Sequence, residues 1–211
     1  MLLISAFLAG LVALVAVLAR AAATRSDRER FKRPTPASLL LVLGSGGHTT
    51  ELLSMASTID LGQYPKRTWL AFSGDALSLD KARHFEEGTG ARGRASSASL
   101  RRARGVGQSY FTSIFTSLWC GFECLRFVYR TDPDVILCNG PGSCVLVCAA
   151  ARVLRAVGAG RARIIYVESI ARVSSLSLTG KLLVRVADRF IVQWEQLRKA
   201  YPTTEYLGVL V

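Results

Sequence analysis

Five short apolar runs separated by stretches of helical spacing are the feature that most constrains how this chain can fold. The runs predict strands at residues 39–43, 68–72, 135–138, 163–167 and 190–193. Strands that are apolar along nearly their whole length belong in parallel sheets, where helices cover both faces. The sequence therefore predicts an α/β fold with a Rossmann-like parallel sheet.

The first apolar run leads directly into a glycine-rich loop, Gly44-Ser45-Gly46-Gly47-His48-Thr49, which opens a helix-like stretch. Glycine allows backbone angles and close approaches that other residues do not. The N-terminus of the following helix offers free N–H donors and a partial positive charge. This junction predicts a site for a phosphorylated ligand. Since such sheets bind ligands at the carboxyl ends of their strands, the loops 44–50, 139–143 and 168–169 are expected to converge on one crevice.

Two familiar nucleotide-binding loops differ from this one. A P-loop requires Lys and Ser or Thr after its last glycine, whereas this chain has His48 and Thr49, so ATP or GTP hydrolysis is disfavoured. The dinucleotide fingerprint requires a small residue, usually glycine, at its sixth place, which Thr49 occupies. A membrane-tethered nucleotide-binding oxidoreductase stays as a weaker alternative, and so does a glycine turn that binds nothing.

The N-terminus predicts a membrane anchor. Residues 2–19 carry no charge and are mostly Leu, Ala, Val and Ile, and about 18–20 such residues cross the hydrocarbon layer as a helix. Basic residues follow this run and none precedes it, which places the rest of the chain on the cytoplasmic side. The predicted organisation is a transmembrane anchor at 1–20, a basic linker at 21–37 and a Rossmann-like domain at 38–211. A cleaved secretory signal is the alternative, but it would need a basic head.

The net charge of +12 invites a nucleic-acid interpretation, yet its distribution favours membrane lipids. The excess lies in the juxtamembrane stretch and in an acid-free segment that carries Arg92, Arg94, Arg101, Arg102 and Arg104. The apolar positions of the following helix recur at intervals of three and four between 111 and 125, which predicts packing against the sheet. Contact of this helix with the bilayer is the alternative.

Neither the cysteines nor the Asp132-Pro133-Asp134 sequence predicts a metal site. The five cysteines lack the spacing of metal ligands and are expected to be reduced core residues. An Asp-x-Asp sequence can hold a cation in sugar transferases, but this one is predicted to be a turn at the far edge of the sheet. The sequence therefore predicts no metal and no bound cofactor.

Taken together, the motifs resemble a known family. They are the N-terminal anchor, the glycine loop continued as His-Thr-Thr-Glu-Leu-Leu, Asn139-Gly140-Pro141-Gly142, and Val167-Glu168-Ser169 followed by a serine-rich stretch up to Lys181. The chain resembles the membrane-anchor subunits of the eukaryotic UDP-N-acetylglucosamine transferase that adds the second sugar to dolichol-diphosphate-GlcNAc in N-glycan assembly. A more distant resemblance is to the N-terminal half of the bacterial transferase MurG. It implies one half of a metal-independent glycosyltransferase B fold.

The resemblance implies a set of acceptor-binding residues. The loop would face the diphosphate of the lipid-linked acceptor, and His48 would take the proton from the acceptor hydroxyl, with Glu168 as the alternative base. The bacterial relative has an acid at the Glu168 position, but the residues around it differ here. The implied substrate-binding residues are Gly44, Ser45, Gly46, Gly47, Thr49, Asn139, Gly140, Gly142, Ser169 and Arg172.

The resemblance also implies a partner. UDP-GlcNAc would be bound mainly by a soluble catalytic subunit, which this chain would recruit to the cytosolic face of the endoplasmic reticulum. A transfer reaction needs donor and acceptor within reacting distance, so the chain is expected to be inactive alone. The implied docking strip is the apolar end, Tyr206, Leu207, Val209, Leu210 and Val211. A structural scaffold that contributes nothing to the reaction is the competing hypothesis.

Overall fold

A computed structural model describes residues 36–103 and 110–211 of the chain. Its strands are β1 (Ser38–Val42), β2 (Lys66–Phe72), β3 (Arg94–Leu100), β4 (Val135–Asn139), β5 (Arg163–Val167), β6 (Arg189–Val192) and β7 (Glu205–Tyr206). Its helices are α1 (Gly47–Ser57), α2 (Ala76–Thr89), α3 (Tyr110–Thr131), α4 (Ser143–Ala156), α5 (Leu178–Leu183) and α6 (Glu195–Ala200), with a short 3₁₀ turn at Leu61–Gln63.

The strands form one seven-stranded sheet in the order β3-β2-β1-β4-β5-β6-β7. Every neighbouring pair is parallel. The strand order reverses direction between β1 and β4, because the chain builds outward from β1 to β3 and then returns to add β4 on the other side. That reversal opens a crevice between the loops that follow β1 and β4.

Helices cover both faces of the sheet, as the apolar strands predicted. On one face, α1 and α2 pack through Leu52, Met55 and Ala82. On the other face, α3 and α4 pack through Cys124, Val147 and other buried residues. The β1 residues alternate between the two clusters, with Leu39 and Leu41 on the first face and Leu40 and Val42 on the second. Successive side chains of a strand point to opposite faces of the sheet, so a strand covered by helices on both faces is apolar at every position.

All five predicted strands are confirmed to within two residues at their ends, but two strands were missed. Strand β3 lies in the Arg- and Ser-rich segment, which has few β-branched or aromatic residues. It forms because it pairs with β2 along its whole length, from Lys66 opposite Arg94 to Phe72 opposite Leu100. Strand β7 is only two residues long and pairs with β6 at the opposite edge.

The prediction that the apolar stripe of α3 packs against the sheet is wrong for three of its members. Leu118, Trp119 and Phe122 are exposed. The helix packs instead through Cys120, Cys124 and Val128, which recur every four residues and are buried against the sheet and α4. The small cysteine side chains allow this close approach, and the larger aromatic rings are left on the outer face. Arg104 and the side chains of residues 110–115 are not among the parts of the chain that the structure describes.

Asp134 has the structural role predicted for the Asp-Pro-Asp turn. Its Oδ2 accepts hydrogen bonds from the Ser38 backbone N–H at 2.7 Å and from the Ser38 hydroxyl at 2.8 Å. These bonds tie the starts of β1 and β4 together at the edge away from the crevice. The cysteines 120, 124, 138, 144 and 148 are buried free thiols.

The predicted anchor at 1–20 and almost all of the linker at 21–37 lie outside the described residues. Within residues 36–103 and 110–211, no helix combines the length and the apolar character needed to cross a membrane. The anchor therefore stays a prediction.

Candidate functional site

The loops after β1 and β4 meet at the crevice, as expected. A Cβ atom at Gly44 would lie 2.7 Å from the Pro141 ring and 2.8 Å from the His48 Cβ. A Cβ atom at Gly140 would overlap the His48 imidazole, and Gly140 has a positive φ of 73° that disfavours other residues. Glycine at these two positions therefore lets the His48 ring pack directly against the β4 loop.

Helix α1 begins at this contact. Its N-cap is Gly46, with φ of 66°, and no side chain caps the helix. The first turn carries no acidic residue, so its free N–H groups keep their partial positive charge. Ser45, Gly46 and Gly47 are exposed beside it. This end of α1 can donate hydrogen bonds to an anionic group.

His48 places one ring nitrogen inside the protein. Its Nδ1 is buried and has no hydrogen-bond partner among the described residues. A histidine that acts as a base usually has one ring nitrogen held by a carboxylate or carbonyl, which fixes the protonation of the other. That orienting partner is absent from the described part of the chain.

Thr49 stabilises the loop from within. Its side chain is buried, and its hydroxyl donates to the Gly44 carbonyl and lies 2.7 Å from the Ser78 hydroxyl. Ser78 in turn donates to Asp75 at 2.6 Å. The Thr49 side chain faces α2, so only its backbone N–H is placed to contribute to an anion site.

Glu51, which the sequence did not single out, connects helix α1 to the ends of β4 and β5. One carboxylate oxygen accepts from Asn139 Nδ2 at 3.0 Å, and the other accepts from the Ser169 hydroxyl at 2.7 Å. Asn139 ends β4 and Ser169 follows β5, and both are buried. The Asn139 Oδ1 is buried without a hydrogen-bond partner in the described chain. The signal that could have identified Glu51 is its place one helical turn after His48, on the same face of α1.

Glu168 lies beneath the crevice rather than in it. Its side chain is fully buried, and one oxygen accepts from the Ser177 backbone N–H at 3.0 Å and from the Ser177 hydroxyl at 3.1 Å. The other oxygen accepts from the Ser169 N–H at 3.3 Å and from the Tyr166 hydroxyl at 3.4 Å. Glu168 therefore anchors the loop between β5 and α5.

Gly180 and Tyr166 complete this buried carboxylate site. A Cβ atom at Gly180 would overlap the Glu168 carboxylate, so only glycine leaves room for it. Burial, with the negative charge of Glu168 nearby, raises the pKa of the Tyr166 hydroxyl far above its usual range. Tyr166 thus stays protonated and able to donate. The catalytic assignment of Glu168 stays a prediction, and this geometry favours a structural role.

The remaining predicted residues divide between the crevice and the far edge of the sheet. Gly142 precedes α4 at the crevice, and Arg172 is exposed on the loop after β5, without an ion pair to the described residues. At the chain end, Tyr206, Leu207 and Val209 are exposed. Leu210 and Val211 pack partly against the chain's own core.

The chain matches a known protein family. The family described as Alg14-like oligosaccharide biosynthesis proteins matches residues 39–210. The UDP-N-acetylglucosamine transferase subunit ALG14 of Yarrowia lipolytica is 45% identical over 183 residues, which cover 86% of this chain and 84% of the relative. The human protein of the same name is 38% identical over 180 residues, which cover 82% of this chain and 83% of the relative.

Solved structures agree on the fold. Acinetobacter baumannii MurG superposes with a TM-score of 0.55 at 17% identity, covering 82% of this chain and 46% of MurG. The UDP-N-acetylglucosamine 2-epimerase of Rickettsia bellii superposes with a TM-score of 0.53 at 14% identity, covering 82% of this chain and 45% of the epimerase. The chain thus spans about half the length of these two proteins and shares their Rossmann-like architecture.

Gly140 and Gly142 provide a matched test of the His48 contact. We expect Gly140→Ala to lower the free energy of unfolding by about 1–3 kcal/mol, because the added methyl overlaps the imidazole at a positive φ. Gly142→Ala should change it by less than about 1 kcal/mol, since its Cβ would meet nothing within 4 Å. Urea unfolding measures both variants, and equal stability of the two would contradict the packing described.

Proposed function

The chain belongs to the family of Alg14-like oligosaccharide biosynthesis proteins, and from this premise we propose that it is the acceptor-binding subunit of a heteromeric UDP-N-acetylglucosamine transferase. The observation that carries the proposal is the identity of 38–45% to relatives named as subunits of that transferase, over more than four fifths of both chains. The proposed reaction adds the second GlcNAc to dolichol-diphosphate-GlcNAc.

The crevice supports acceptor binding by this chain. The uncapped start of α1 offers N–H donors to a diphosphate. One turn further along the helix, the partly buried Glu51 carboxylate offers acceptor oxygens, which suit sugar hydroxyls. An anion site next to a set of hydrogen-bond acceptors matches a sugar linked to a diphosphate. A purely structural scaffold would not need this juxtaposition.

A second polypeptide is proposed to bind the donor substrate, UDP-GlcNAc. The relatives' names describe them as subunits, and the similarity to MurG extends over about half of that protein. We propose that a soluble catalytic subunit binds UDP-GlcNAc and closes over the crevice, so that the transfer reaction needs both chains.

Membrane lipids are proposed to hold the chain beside its acceptor. The predicted anchor at 1–20 and the exposed α3 face of Leu118, Trp119 and Phe122 both suit a bilayer, and Arg126 and Arg130 on that helix suit anionic head groups. The proposed location is the cytosolic face of the endoplasmic reticulum.

In cell fractionation the full chain should sediment with these membranes in high salt, and recovery in the soluble fraction would oppose the proposal.

Sugar transfer by the reconstituted pair tests the function. We expect the full chain, co-expressed with the catalytic subunit of the same organism, to transfer GlcNAc from UDP-GlcNAc to dolichol-diphosphate-GlcNAc. Either chain alone should show background activity, because donor and acceptor sites would lie on different polypeptides. Product formation is followed by chromatography of the released oligosaccharide. An inactive pair, or one chain transferring at the full rate, would refute the proposal.

The exposed part of the chain end is the proposed docking strip. Among the described strands β7 is an edge of the sheet, with no described strand on its outer side, and Leu207 and Val209 are about half exposed beyond it. We expect Leu207→Ser with Val209→Ser to weaken co-purification of the catalytic subunit at least about tenfold. Val157→Ser, at a still more exposed apolar site after α4, is the control. Equal recovery of the partner with both variants would remove the strip from the interface.

A further inference from the structure

The Glu51 carboxylate is held in the crevice with hydrogen-bonding capacity to spare. Among the described residues, each of its oxygens accepts one hydrogen bond, from Asn139 or from Ser169. An ionised carboxylate oxygen has two lone-pair sites, so each oxygen keeps one for a further donor. Glu51 is also only partly buried. A ligand hydroxyl in the crevice can therefore reach this carboxylate.

The other candidate bases are less suited to take a proton. Glu168 is fully buried and accepts four hydrogen bonds from Tyr166, Ser169 and Ser177. His48 buries Nδ1 without a hydrogen-bond partner among the described residues, so no group there holds a proton on Nδ1 while Nε2 accepts one. Its place beside the free N–H groups of α1 suits binding of an anion instead.

Position also separates the roles of His48 and Glu51. His48 lies in the first turn of α1, beside the free N–H groups, and Glu51 lies one turn later. The three residues from His48 to Glu51 advance about 4.5 Å along the axis, which is close to the width of one sugar ring. A diphosphate bound at the helix start can therefore place its first sugar within reach of Glu51.

We propose that Glu51 is the general base of the transfer reaction, an assignment that rests on the proposed function. The acceptor hydroxyl oxygen forms a bond to the anomeric carbon of UDP-GlcNAc, and its proton passes to a Glu51 oxygen. The bond from that carbon to the UDP oxygen breaks, and UDP leaves with the electron pair. Asn139 and Ser169 hold the carboxylate in place.

Glu51→Gln tests the assignment in the pair with the catalytic subunit. The amide keeps the size of the side chain but cannot take the proton, so kcat should fall at least about 100-fold, within the range that general base catalysis contributes. The KM for the dolichol-linked acceptor should stay within about threefold. Glu87→Gln is the matched control, because it makes the same chemical change at an exposed carboxylate on α2. Its kcat should stay within about twofold of the wild-type value.

The outcomes separate this assignment from the function itself. If the wild-type pair is active and Glu51→Gln keeps kcat within threefold, the base is another group and the proposed function stands. If the wild-type pair transfers no sugar, the proposed function fails. Should Glu51→Gln not fold, judged by thermal unfolding and partner co-purification, Glu51→Asp replaces it. Withdrawing the carboxylate by one methylene should lower kcat at least about tenfold, and wild-type kcat in that variant would overturn the assignment.

Discussion

The contact between α1 and the end of β4 is the constraint on which the rest of the site depends. The strand order reverses at this point, so the loops from β1 and β4 lead to helices on opposite faces of the sheet. Gly44 and Gly140 let the two loops touch through His48 and Pro141. Once they touch, Glu51 can reach Asn139 and Ser169, and three strand ends become one crevice.

Glu168 and Glu51 have different roles, because one lies below this crevice and the other lies within it. Glu168 is buried among hydroxyl and N–H donors and shapes the loop from β5 to α5. Glu51 bonds to neutral donors, keeps part of its surface exposed and faces the ligand side. A fully buried carboxylate with two donors on each oxygen is suited to holding structure, whereas a partly exposed one with one described donor on each oxygen is suited to exchanging a proton.

The sequence was sufficient for the central strands because their apolar runs report burial on two faces, a property that each run carries by itself. It was insufficient for β3, whose conformation is fixed by pairing with β2 rather than by its Arg, Ala and Ser side chains. It also misassigned the buried face of α3, since hydrophobicity favoured Trp119 and Phe122 over the cysteines that pack. The glycine loop was predictable from its sequence motif. The position of the Glu51 carboxylate was not, because it depends on hydrogen bonds to residues 88 and 118 positions away in the chain.

Acceptor binding by the purified chain is the most direct measure of the central claim, that this polypeptide forms the acceptor half of a sugar transferase. The full chain, reconstituted in lipid nanodiscs without its partner, is titrated with dolichol-diphosphate-GlcNAc and, separately, with UDP-GlcNAc. We expect saturable binding of the lipid-linked sugar and weak or undetectable binding of the nucleotide sugar. Failure to bind the lipid-linked sugar, in a preparation that still activates the catalytic subunit, would contradict the account and leave the chain a scaffold.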